Sequence, residues 1–341
     1  MSSGTETQPG AAVDPTPPVT GQTAQTRTER LLELVQRQGA IAVLVLVVIV
    51  SSVTSPGFVS GGNITSILVG NSYQALLALG MTFVIISGGI DLSVGSVFAL
   101  GGVLAAWGAG HGGPLAAILL PLVVCGAFGL VQGLLVARTG MAPFIVTLAG
   151  MLGARGLLQA ISHEGQSTYQ VPAGSWFAAL GRGTWPPVLT AVVLFALGAL
   201  LLQRTRFGHN VFALGGNENA ATLMGVPVRR TKTLVYVLSG LLAGGAGMLN
   251  ASRLTSGVTE IGVGYELTAI AVTVIGGTLL AGGAGSVLGT AAGVLLLAVI
   301  QNLIGHYISQ YGSSASAAVN GAFLAVVVLL QTYLSRARRI N

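Results

Sequence analysis

Long apolar runs follow one another along this chain with hardly a charged residue inside them, and few folds can accommodate that pattern. Only 7% of the residues are charged and 52% are hydrophobic, against about 25% charged in a soluble domain. Crossing a bilayer as a helix takes about 20 apolar residues. Apolar runs, several of them near that length and the first of them short, lie near Ile41–Val53, Ile64–Ser87, Leu92–Trp107, Pro114–Ala137, Pro143–Ile161, Pro186–Gln203, Thr233–Asn250, Tyr265–Leu280, Gly285–Leu303 and Ala315–Leu334. The expectation is an all-α polytopic membrane protein with about ten transmembrane helices. Eight or nine is the competing count, because the Gly-rich stretch Gly276–Gly289 also suits a re-entrant loop. The 51 glycines fit closely packed membrane helices, where small residues let backbones approach.

Charge sets the orientation. Arg27, Arg30, Arg37, Arg138, Arg204, Arg206, Arg229, Arg230, Lys232, Arg336, Arg338 and Arg339 are twelve of the fifteen cations. All twelve fall on one side of a ten-span chain. Basic loops stay in the cytoplasm, so both termini are expected there, and the net charge of +6 needs no nucleic-acid partner. Residues 1–38, rich in Ser, Thr, Gln, Pro and Gly, are expected to form a disordered cytoplasmic tail that ends in a short amphipathic stretch, Arg30 to Arg37. The membrane domain then covers 39–335, and 336–341 is a basic tail. Cys125, the single cysteine, excludes a disulfide framework. The polar stretch from Ser162 to Trp185, with Tyr169, Trp176 and Trp185, suits a loop lying on the outer interface.

The longest charged interruption is the loop 204–232. Inside it Asn217 is a good N-cap, and Glu218 places a negative charge at the positive end of a helix. Ala220, Leu223 and Met224 share one face, with Ala221 beside them. Gly225 suits a left-handed C-terminal position and Pro227 stops continuation. A two-turn helix with a small apolar face, held at the membrane surface, either docks into a cleft of another protein or merely joins two spans.

Gly88-Gly89-Ile90-Asp91-Leu92-Ser93 interrupts two runs that otherwise almost merge. An acid near hydrocarbon is costly and marks a functional candidate, and the glycines permit a helix break of the kind that lines cavities. Asp91 can equally N-cap the following span within a tight cytoplasmic turn. Asn71, Gln74 and Asn302 lie within or beside spans, as interhelical hydrogen-bond partners or as pathway contacts. Arg155, inside the fifth run, can snorkel to headgroups, pair with Glu164 or face a wet path.

Catalytic and nucleotide motifs are missing. Lys232 is the only lysine and no glycine precedes it, so there is no phosphate-cradling P-loop. No His-Glu-x-x-His pair occurs, and no metal or other cofactor is expected in this chain. Asp91 is the one clear mid-membrane acid, too little for an obvious proton relay.

Several stretches together resemble the membrane permease subunit of bacterial ABC importers for monosaccharides, of the ribose/xylose/galactoside type. They are Ala78 to Ser96, Ala142 to Leu148, Gly208 to Val226, Gly264 to Ile270, Gly276-Gly277-Thr278 and Gly282 to Val287. The similarity covers roughly 40 to 335. It implies location in the bacterial cytoplasmic membrane, and a homodimer or a pair with a similar permease. It also implies separate cytoplasmic ATPase subunits that bind the ATP, and an extracytoplasmic sugar-binding protein. The helix Asn217–Gly225 then becomes the element that docks into the ATPase. Such permeases often carry an acid and then a base within that helix, where this chain has Asn219 and Thr222, and an acid where it has Thr268. A permease for a branched-chain amino acid, a nucleoside or an autoinducer sugar, and a self-sufficient secondary carrier, are the alternative readings.

Overall fold

The second apolar run becomes the most enclosed helix of the bundle. In the computed structural model, which describes residues 27–308 (side chains from 40 onward) and helical residues 318, 319, 321 and 322, α1 is Arg27–Thr54 and α2 is Gly61–Ile86. Ser60 caps α2, its hydroxyl accepting from the Asn63 amide. From Leu76 to Ile86 every side chain of α2 is buried, so this helix is wrapped by others and has no lipid face along that length.

The chain continues as α3 (Val94–His111), α4 (Gly113–Thr139), α5 (Pro143–Ile161), α6 (Trp176–Arg182) and α7 (Trp185–Arg204). Next come α8 (Arg206–Gly216), α9 (Glu218–Leu223), α10 (Val228–Leu254), α11 (Tyr265–Ile275) and α12 (Val287–Ile308). Helix α10 runs antiparallel along α4. Gly133 lies against Thr233, Gly129 against the Tyr236 carbonyl, and Gly240 and Gly244 against Cys125. Any side chain at Gly129 would displace a backbone carbonyl, so glycines at this seam bring the two helices to backbone contact. Helices α3 and α10 are mostly buried, whereas α7 keeps an apolar stripe of Leu189, Val192, Val193, Leu197 and Leu200 exposed. Such a stripe at helical spacing is a lipid face.

Seven of these helices are long and apolar enough to cross a membrane: α2, α3, α4, α5, α7, α10 and α12. The apolar part of α1, Ala40–Thr54, and α11 are shorter. The eighth expected span, Tyr265–Leu280, is shortened because the helix stops at Ile275 and three left-handed glycines, 277, 282 and 283, turn the chain into α12. Of the expected span Ala315–Leu334 only 318, 319, 321 and 322 are described, as helical; its other residues, the tail before residue 27 and the basic C-terminus fall outside the described residues. Residues 27–38, which include the amphipathic stretch expected at the end of the tail, are helical and continue into the first apolar run. The aromatic segment after α5 is also more folded than an interfacial loop. Phe177 of α6 is fully buried, and its carbonyl accepts from the Ser252 hydroxyl of α10.

Candidate functional site

At the end of the bundle that carries Arg138, Arg204 and Lys232, two helices fold under the spans. The sequence reading anticipated one of them. It missed α8, whose signal was the Thr205 cap and the apolar set Phe207, Val211, Phe212 and Leu214. The Thr205 hydroxyl accepts from the Gly208 amide at 3.2 Å, and Val211 and Leu214 are buried. The Phe207 ring lies 6.3 Å from that of Phe83 in the last turn of α2.

Helix α9 follows at once. Asn217 Oδ1 accepts from the Ala220 amide at 3.0 Å. Glu218 pairs with Lys232 of α10 at 2.7 Å, so the helix is tied to the start of the next span. At its other end the Gly225 amide donates to the Thr222 carbonyl and the Val226 amide to the Ala221 carbonyl. With Gly225 at φ +78°, this is a Schellman ending. Leu223 and Met224 are 90% and 84% exposed, and Ala220 is exposed beside them, whereas Ala221 is buried. An apolar tip held out by a capped helix is a surface ready for a protein partner.

The turn between α2 and α3 is tucked into the end of the bundle, with Asp91 and Ser93 buried. Ser93 occupies the N-cap position of α3 without a side-chain cap bond. Asp91 therefore does not cap the helix directly. Its Oδ1 accepts from the Ser93 amide (2.9 Å) and hydroxyl (2.6 Å), and its Oδ2 from the Ser239 hydroxyl of α10 (2.7 Å). Gln132 of α4 donates to the Ser93 hydroxyl at 3.0 Å. Thr147 of α5 donates to the Ile90 carbonyl at 3.2 Å. Gln132 stands six residues before Arg138, hence about 9 Å inside the end of α4. The buried carboxylate thus joins the start of α3 to α10, while α4 and α5 bond the residues on either side of it, and Gln132, Thr147 and Ser239 were not picked out by sequence. Gly88 takes φ +83° to make the turn and is exposed, while Gly89 is buried beneath the Tyr236 hydroxyl.

Asn71, Gln74 and Asn302 are not drawn to this turn. The Asn71 amide donates to the Ile67 carbonyl of its own helix, and Gln74 is half-buried higher on α2. Asn302 exchanges hydrogen bonds with Asn63 at the far end of α2, beside a pocket of about 110 Å³ that Ser55 and His306 also line. Arg155 neither snorkels nor pairs with Glu164. Its guanidinium donates to the carbonyls of Thr259 (2.9 Å) and Ile261 (3.3 Å). Among the described residues no group of His, Cys, Asp and Glu could hold a metal ion.

A short capped helix projecting below a bundle of helices long and apolar enough to cross a membrane is consistent with a transport permease. Residues 63–332 match the family described as branched-chain amino acid transport system / permease component, and the chain belongs to that family. Among curated proteins it is 44% identical to the inner membrane ABC transporter permease protein YjfF of Escherichia coli (strain K12), over 76% of this chain and 80% of that one. It is 38% identical to the ribose import permease protein RbsC of Bacillus subtilis (strain 168), over 87% and 93%. It is 33% identical to the fructose import permease protein FruG of Bifidobacterium longum (strain NCC 2705), over 88% and 91%.

Proposed function

We propose that this chain is the permease subunit of an ATP-driven importer that carries a monosaccharide across the bacterial cytoplasmic membrane. The observation that carries the coupling is α9, a capped helix with Leu223 and Met224 exposed at the basic end. The sequence contains no P-loop to hold ATP, so the energy enters from an ATPase subunit docked on that tip. An extracytoplasmic binding protein delivers the solute, and a second permease, identical or similar, completes the passage. Ten spans with both termini in the cytoplasm accommodate the twelve basic residues on one side. The family description names amino acids, but the ribose and fructose import permeases match along most of their length, which favours a sugar. A neutral sugar calls for hydrogen-bonding groups along the path, and the low charge content of the spans suits it.

The test is reconstitution in liposomes. With its ATPase and binding protein, the permease accumulates ribose, fructose or another monosaccharide only when ATP is supplied. Accumulation by the chain alone under a proton or sodium gradient would overturn the reading in favour of a secondary carrier.

A further inference from the structure

Between α10 and α11 the chain is not helical over residues 255–264. It starts near the outer ends of the helices, where Ser256 bridges Gln170. Gly257 then lies against Val103 and Ala106 of α3, and Gly262 against the Gly95 carbonyl and the Phe98 ring. The Tyr265 ring, in the first turn of α11, is 5.4 Å from Phe98. The segment therefore descends along α3 to that helix's first turns.

Those turns are deep. The Cys125 thiol lies 3.5 Å from the Val97 carbonyl, and Gln132 bonds Ser93. Counted along α4 from Arg138, these partners stand about 20 Å and about 9 Å inside the basic end. The hydrocarbon core is about 30 Å thick, so residues 262–266 sit near its middle. Irregular backbone at that depth is tolerated only where protein buries it or water bathes it.

One side of the segment is buried by α3 and by Arg155, whose guanidinium takes up the carbonyls of Thr259 and Ile261. The other side is open. Val263 is 73% and Leu267 61% exposed, and Glu260 is exposed with no ion-pair partner among the described residues. Glu260 lies between the outer start of the segment and its deep end, and an acid so placed favours a water-filled route over a lipid face.

We propose that residues 257–267 form a wall of the water-filled solute passage, descending from the outer face to mid-membrane and ending at the start of α11. Glu260 and the open edge of this segment then offer acceptors to a neutral polyhydroxyl solute. The identity of the solute rests on the importer reading above; the wetness of the wall does not.

Cysteine accessibility in the membrane-inserted full chain decides it. Val263→Cys and Leu267→Cys are each treated from the outer side with a charged, membrane-impermeant thiol reagent. The native Cys125 is fully buried and silent, and Leu197→Cys, on the exposed stripe of α7, reports lipid. Both segment cysteines react and the α7 cysteine does not; in the complete importer the modification abolishes uptake. Segment cysteines as inert as Leu197→Cys would overturn the proposal, as would oxidant-driven cross-linking between two copies with no reagent access, which marks a dry contact. Two sites on separate elements carry the test, so loss of one variant to misfolding leaves it decisive. Reagent access needs no ATPase, so inert cysteines refute the wall while leaving the importer reading standing, and failed ATP-driven uptake does the reverse.

Discussion

Asp91 receives three donors from two elements, and that settles what kind of substitution it tolerates. Asn retains an oxygen for the Ser93 groups and an amide that can donate to Ser239, whose hydroxyl then turns elsewhere. Ala leaves the Ser93 amide and the Ser239 hydroxyl without their acceptor in a buried site, while the Ser93 hydroxyl keeps Gln132. Asp91→Ala is expected to cost about 2–3 kcal/mol and Asp91→Asn about 1 kcal/mol or less, read as thermal unfolding in detergent. An Asp91→Asn protein that is folded but transport-dead would instead place the carboxylate in the solute's path. At the coupling tip the two apolar neighbours behave oppositely. Met224→Asp, at an 84% exposed position, leaves stability within about 0.5 kcal/mol but abolishes co-purification with the ATPase. Ala221→Trp, which sequence alone would place beside it as a surface probe, overpacks a buried site and costs about 1–3 kcal/mol.

Among the elements, α8 links the coupling helix to the spans. Its last turn passes so close to α2 and to the 276–286 loop that a methyl on Gly215 would collide with the Ile86 carbonyl and crowd the Gly283 amide. That amide donates to the same Ile86 carbonyl at 2.9 Å. Three backbones thus share one node, one residue before Gly216 and two before the Asn217 cap. Backbone contacts of this kind pass a displacement on with little give. Gly216, its neighbour, has open space where a side chain would go. Gly215→Ala is expected to lower uptake about tenfold or more, equivalent to about 1.4 kcal/mol, while ATPase docking survives; Gly216→Ala keeps uptake within about twofold. Equal uptake in the two variants, measured with the complete importer, would remove the node from the coupling route. Sequence reading marked this loop as one short helix because Asn217, Gly225 and Pro227 are local signals. It passed over α8, whose amphipathic face becomes decisive only when Phe83 is there to cover it.

For the whole molecule, burial divides the spans into an enclosed set and a lipid-facing set. Helices α2, α3, α10 and α12 are covered along most of their length, and α4, α5 and α7 along little of theirs. Amide hydrogen exchange in detergent is expected to be slowest in the enclosed four and fastest in 255–264, where few backbone bonds are internal. Exchange as slow in 255–264 as in α2 would contradict this division of the bundle.

Apolar run length, the scarcity of charge and the side on which arginines gather were enough to establish a helical membrane protein, and the caps around Asn217 and Gly225 were enough to place α9. These are properties of neighbouring residues, and local chemistry dictates them without reference to the rest of the chain. The partners of Asp91, the bonds that hold Arg155 and the descent of 255–264 along α3 join residues on different helices. Asp91 meets Ser239 across 148 positions, and Arg155 meets Thr259 across 104. No local pattern encodes such a meeting, because it depends on which helices pack together and at what depth, and packing alone decides that.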